Sequence, residues 1–350
     1  MPDINIAGAV AIILGAVSVV WLLTSVVRTV VIPRPERVFL TATTFEAARR
    51  LARWASRSVS PQRRHRILGT FAPSVLILLP AIWSLGLIIA FAAIFWGMKV
   101  GGIQEAIELS GSSLTTLGFV GAPTFVTRLI AIVEALLGLG IVALMISFLP
   151  TLYSTFSRRE VAVGRLTTRA GAPPTPVSFI TRLHEIDGLD RIGDRWEEWE
   201  DWFVELGETH TTFPALVYFR SARLDRHWVT AAETALDTAA IVDAIGLVRR
   251  TGQADTMIRS GYLAIRAIAD HYRIAPEPAD DAHQAISIDR SQFEAILDEL
   301  QRRGIMLQME PDAAWHRFAG WRANYDQAIC GLQELTGPVP SHWTEAFRDE

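Results

Sequence analysis

Three long apolar runs dominate the hydropathy pattern. Residues 4–27 carry no charge, residues 67–98 carry none, and residues 129–157 carry one, Glu134. Each exceeds the roughly 20 residues that a helix needs to cross about 30 Å of hydrocarbon. The pattern therefore predicts three membrane spans. The first covers Ile4 to Val31 and is ended by Pro33 and Pro35, which cannot continue the hydrogen-bond ladder. The second covers Pro73 to Met98, with Pro73 and Pro80 in its first turns and Trp96 at the outer interface. The third begins near Thr127. A secretory signal at the first run is disfavoured, because it lacks a basic leading region, is too long and has no small-residue cleavage pattern after it. The small residues Ala7, Gly8, Ala11, Gly15 and Ala16 either bring helices close together in lipid or are simply tolerated there.

Between and after these runs the period changes. Residues 44–58 put Phe45, Ala48, Leu51 or Ala52, and Trp54 or Ala55 on one face and Arg49, Arg50, Arg53 and Arg57 on the other. Such a helix suits a bilayer interface, either coupling a cytosolic domain to the spans or simply anchoring their topology. Residues 158–176 read as a linker, marked by Gly171-Ala-Pro-Pro174 within its Arg165–Pro176 part, and residues 177–350 as a wholly helical domain. Helices are expected over 190–208 (Trp196, Trp199 and Phe203 on one face), 228–250, 254–274, and 311–335, with a capping box Ser291-Gln-Phe-Glu294 opening another that ends at Arg303. No convincing alternating run indicates a strand. The fold class is an all-α membrane protein with three transmembrane helices and a C-terminal all-α domain.

Charge orients this arrangement. Residues 28–66 hold ten Arg against two acids, a formal +8, whereas residues 158–350 hold 21 basic and 31 acidic residues, a formal −10. Arg-rich loops stay on the cytoplasmic side. The first loop is therefore placed inside, the N-terminus outside, the 99–128 segment outside, and Arg158-Arg159 inside again. This gives a multi-pass protein of the inner or plasma membrane with its C-terminal domain in the cytoplasm.

The negative balance disfavours nucleic-acid binding. There is no Gly-x-Gly-x-x-Gly motif, EF-hand loop, P-loop, nucleophile elbow or metal-type His/Cys spacing, so neither enzymatic chemistry nor a cofactor is expected. The single cysteine, Cys330, excludes an internal disulfide framework and reads as a small core residue. His210, between two expected helices, reads as a pH sensor or as a buried structural histidine. Trp196, Trp199 and Trp202 read as a ligand face or as core.

The segment between the second and third spans carries the candidate chemistry. A helix over Ile103–Leu114 would be about 18 Å long, and five extended residues after it would cover roughly 16 Å. The chain can thus descend into the membrane and climb back, its helix C-terminus favouring a cation. Non-helical backbone at that depth needs protein or water around it. A row of carbonyls facing one axis replaces a cation's hydration shell.

The stretch Ser110-Gly-Ser-Ser-Leu-Thr-Thr-Leu-Gly-Phe-Val-Gly-Ala-Pro123 resembles the pore loop of the potassium-channel superfamily, whose filter reads Thr-Val-Gly-Tyr-Gly. Thr116, Leu117, Gly118 and Phe119 match its first four positions. The resemblance covers residues 70–157 and implies a pore domain of outer helix, pore helix with filter, and inner helix. Residues 1–33 then form an additional span and residues 34–69 a cytosolic basic loop.

The same resemblance implies a homotetramer embedded in lipid, with a filter of Thr115, Thr116, Leu117, Gly118, Phe119 and Val120. The carbonyls of Thr116, Leu117 and Gly118 would hold a monovalent cation, K+ or Na+. Glu134 would support the filter through Ser or Thr hydroxyls, direct ion binding being the alternative. Gly138 and Gly140 would form a gating hinge, the alternative being close packing. Val120 replaces the family's second filter glycine, so that either Gly121 takes the turn or an outer ion site is lost, and Phe119 lacks a bracing hydroxyl. Weakened potassium selectivity is expected, with gating through the acidic domain, which would also concentrate cations. A non-conducting scaffold or sensor, and an anion or mechanosensitive pore, are rival readings; no basic residue occurs in 103–127.

Overall fold

The computed structural model describes residues 5–32, 38–186, 188–248, 252–274 and 286–337. The start expected at Ile4, the stop expected at Pro33 and Pro35, and the helix end expected at residue 250 lie outside these. The structure is 79% helical, with no strand among the described residues. The chain divides into two compact units, one of residues 1–59 and 70–153 and one of residues 60–69 and 154–350.

The first unit contains α1 (Ile6–Val30), α2 (Phe39–Ala55), most of α3 (Pro61–Gly97), α4 (Ile103–Leu114) and the first part of α5 (Phe125–Ala170). Three helices, α1, α3 and α5, are long and apolar enough to cross a membrane. Glycines decide how α1 meets α3. A Cβ on Gly15 would stand 2.6 Å from the Ala90 carbonyl oxygen, and one on Gly97 would stand 2.5 Å from that of Gly8. Close approach therefore falls to Gly8 and Gly15, while Ala7 and Ala16 are exposed. Trp83 donates from Nε1 to the Ser25 hydroxyl at 3.3 Å across the same contact.

Two helices are longer than the sequence pattern suggests. α3 starts at Pro61, where a first-position proline loses no helical bond, and Pro73 and Pro80 lie inside it rather than in its first turns. α2 starts at Phe39, not residue 44, and buries Phe45 and Ala52 while Leu51 and Trp54 stay exposed.

The expected linker is also largely helix. α5 runs through Pro150 to Ala170 because its last turns place Arg159, Val163, Leu166 and Ala170 on one buried stripe. It ends at Gly171, whose φ of +87° suits a residue without a Cβ. Only residues 171–175 separate it from α6 (Pro176–Glu185).

The second unit packs α6, α7 (Ile192–Thr212), α9 (Gln253–His271), α10 (Arg290–Arg302), α11 (Pro311–Arg322) and α12 (Asp326–Thr336) around α8 (Trp228–Ala244). All of α8 except Asp243 is buried. α8 stops at Ala244, short of the expected end at residue 250, where Gly246 turns with φ +67°. Asp289, not Ser291, caps α10, its carboxylate accepting the Gln292 amide at 2.8 Å. The helix expected over 311–335 breaks after Arg322, because Arg322, Tyr325 and Asp326 all turn inward to one ionic cluster.

That cluster is fully paired. Arg322 donates to Asp237, to Glu233 at 2.8 Å and to Asp326 at 2.7 Å. Tyr325 donates to Asp237 at 2.7 Å, Gln333 to Glu233 at 2.8 Å, and the Ser287 amide to Asp326 at 2.8 Å. Every carboxylate oxygen thus accepts a bond, which three buried acids beside one guanidinium require. Trp196, Trp199 and Trp202 are buried in the core.

His210 lies in the last turn of α7 rather than between helices. Its Nδ1–H donates to the Leu206 carbonyl at 3.0 Å, and its Nε2 accepts from Arg159 at 3.1 Å. Burial, then the Arg159 charge, holds it well below the usual histidine range, so it is a neutral structural group.

Candidate functional site

The site grows from α4. Glu105 caps its start by accepting the Gly102 amide at 2.8 Å. Ala106, Leu109, Ser110, Ser112 and Leu114 form its buried face.

The segment after α4 is not extended. Thr116 and Gly118 have φ of +57° and +71°, so left-handed residues alternate with Leu117 between them. Four amides turn back onto the helix end. Thr116 donates to the Ser113 carbonyl at 3.0 Å, and Leu117 and Gly118 donate to the Ser112 carbonyl at 3.0 and 3.3 Å. Val120 donates to the Ser112 hydroxyl at 3.2 Å. The helix C-terminus leaves carbonyls in want of donors, and this turn supplies them. Alternating hand sends amides to one side and carbonyls to the other. Among the described residues, the carbonyls of Thr116, Leu117, Gly118 and Phe119 accept no hydrogen bond.

Gly118 is the residue for which the loop most needs glycine: its φ is positive and the space beside it is open. Gly121 is not left-handed, so the turn expected there is made earlier, at Thr116 and Gly118. Val120 keeps an ordinary φ, and its amide is bonded to the Ser112 hydroxyl. Leu117 and Phe119 are 71% and 67% exposed. The chain is then fixed at the start of α5, where the Thr127 amide donates to the Thr124 hydroxyl at 3.2 Å and Arg128 donates to the Ala122 carbonyl at 3.1 Å.

Behind the loop, α5 supplies Glu134 and Gly138. Glu134 is fully buried, with Oε1 bonded to the Ser110 hydroxyl and Oε2 without a partner. The same hydroxyl lies 3.0 Å from the Ile88 carbonyl oxygen. One hydroxyl proton thus faces two acceptors, the Glu134 carboxylate and the Ile88 carbonyl. Gly138 lies against the end of α4, where a Cβ would overlap the Leu114 carbonyl oxygen. Nothing lies within 4 Å of a Cβ on Gly140, so the two glycines differ in surroundings.

Ser112 is the residue that sequence reasoning missed. It holds three amides of the loop, two through its carbonyl and one through its hydroxyl. The signal was the run of small residues Ser110-Gly-Ser-Ser113 closing the helix. The donors this segment offers to a cation are backbone carbonyls and threonine hydroxyls, the ligand type of hard monovalent ions. No family model, no curated protein and no solved structure matches the chain.

Proposed function

We propose that the chain is one subunit of a tetrameric cation channel, with residues 115–120 forming one wall of its filter. The observation that carries this reading is the one-sided loop: amides tied to α4, four successive carbonyls unpartnered, and Leu117 and Phe119 exposed. Unpartnered carbonyls are costly unless water, an ion or another chain meets them. Four copies around an axis would bring them to a permeating K+ or Na+. Gly138 sets the distance between the inner helix and the filter, and Glu134 braces the loop from behind through Ser110. The second unit lies in the cytoplasm in this reading, its acidic surface drawing cations toward the pore.

Val120 in place of a glycine, and Phe119 with no hydroxyl, favour weak discrimination between K+ and Na+. The test is a reversal potential in a planar bilayer with K+ on one side and Na+ on the other. The expected result is discrete single-channel steps with a reversal near zero. A potential close to the K+ limit would retain the channel and overturn the selectivity. Purified protein that passes no current under voltage, pH change or stretch would favour the scaffold reading instead.

A further inference from the structure

The loop into α8 gathers buried donors without acceptors. Ser221, His227 and Thr230 are 3%, 2% and 1% exposed, yet Ser221 Oγ, His227 Nε2 and Thr230 Oγ1 have no hydrogen-bond partner. Arg226 Nε is buried and unpartnered as well. All four residues lie between the end of the Pro214–Tyr218 turn and the first turn of α8.

Their chemistry is of one kind. His227 caps α8, its Nδ1 accepting the Val229 amide at 3.2 Å, which leaves the ring proton on Nε2. Thr230 sits in the first turn, where Cα–Cβ bonds tilt toward the helix start. Burial is the main cause that holds His227 neutral, and the Arg220 and Arg159 guanidinium charges act in the same direction. His65 is bonded to the Ser221 carbonyl at 3.0 Å. The acid nearest in sequence, Asp225, is taken by Arg223 at 2.7 Å. No acidic residue stands in the first turn of α8, so its positive end is not offset locally. Neutral donors, a helix N-terminus and surrounding cations lack one component, a compact anion with several acceptor oxygens.

We propose that Ser221, Arg226, His227 and Thr230, at the start of α8, form a binding site for a phosphate group. The chemistry of the donors suits inorganic phosphate or the terminal phosphate of a larger molecule, including a lipid headgroup. The site is independent of the loop at 115–120, and its test reads binding rather than ion flux.

The experiment uses the full chain in detergent, titrated with inorganic phosphate against chloride at equal ionic strength, with calorimetry and tryptophan-monitored melting as readouts. Saturable binding with a Kd below about 1 mM is expected. Thr230→Val and Ser221→Ala, near-isosteric losses of one hydroxyl, should each weaken it about tenfold without lowering the melting temperature in chloride. Arg226→Gln serves as a third variant should either fold poorly. A parallel arm reconstitutes the chain in nanodiscs of phosphatidylcholine with or without phosphatidic acid, whose headgroup is a terminal phosphate. Stabilisation seen only with phosphatidic acid, and lost in the same variants, assigns the phosphate to a lipid. The proposal is overturned if neither source stabilises the wild-type chain, or if the variants respond as wild type does.

Discussion

The loop at 115–120 and the ionic cluster around Arg322 satisfy polar groups in opposite ways. The loop is held by its backbone, with amides on the Ser112 and Ser113 carbonyls and its larger side chains outward. The cluster is held by side chains, closed on all sides, with each buried carboxylate oxygen bonded. The cluster is thus closed within the chain, while the loop leaves four carbonyls unmet. A polar group left open on a surface invites a partner, and one closed in a core specifies a fold.

Removing Arg322 should break the closed side of the comparison most severely. Arg322→Met leaves three buried carboxylates with no cation, and a loss of about 3–5 kcal/mol is expected. The tryptophan-monitored transition of the second unit should collapse while far-ultraviolet dichroism retains the helices of the first. A stable variant with a native transition would show that the acids are carried neutral.

The next largest effect is expected at the open side. Gly138→Ala drives a methyl into the Leu114 carbonyl and should cost about 1–3 kcal/mol, with cation flux abolished. Gly140→Ala, facing open space, should stay within about 0.5 kcal/mol and keep its flux. Equal behaviour of the two variants in liposome flux would remove the packing role assigned to Gly138.

Acid should separate the two regions more gently. His210 and His227 are held well below their ordinary value of 6.5, chiefly by burial, so the unfolded chain takes up protons there before the folded one does. Their stabilisation is complete above that pH and is lost as pH falls beneath it, by about 1.4 kcal/mol per group and pH unit. Asp237, raised chiefly by burial, acts in the opposite sense where it titrates. The melting temperature of the second unit should therefore drop between pH 6.5 and pH 5, as scanning calorimetry can follow. A rise over that interval would contradict the neutral histidines.

The smallest effect is expected at Ser112. Ser112→Ala removes the partner of the Val120 amide, worth about 1 kcal/mol, and leaves the two bonds to its carbonyl in place. Overall melting should hardly move, whereas the K+/Na+ reversal potential should shift. An unchanged reversal potential would uncouple Val120 from selectivity.

The spans were legible in the sequence because uncharged length alone marks them, and α4 was legible to the residue, from Ile103 to Leu114. Helix extensions were not. Pro73 and Pro80 read as lying in the first turns of the second span and residues 158–176 as a linker, yet α3 starts at Pro61 and α5 runs to Ala170, because their flanking turns are held by packing that local propensity does not encode. The break between α11 and α12 has the same origin: Arg322 and Asp326 are ordinary helix residues until their buried partners on α8 are known. At the candidate site, Glu134 with a hydroxyl partner was readable from an acid in an apolar run. The left-handed Thr116 was not, since threonine seldom adopts that conformation.

The anchoring of the loop to Ser112 and Ser113 also bears on order of events. These bonds span only a few residues of sequence, so the shape of the loop is set locally by the end of α4. The loop's carbonyls are arrayed by contacts within one chain. Whatever meets that row finds a surface already ordered, and association there forfeits little conformational entropy.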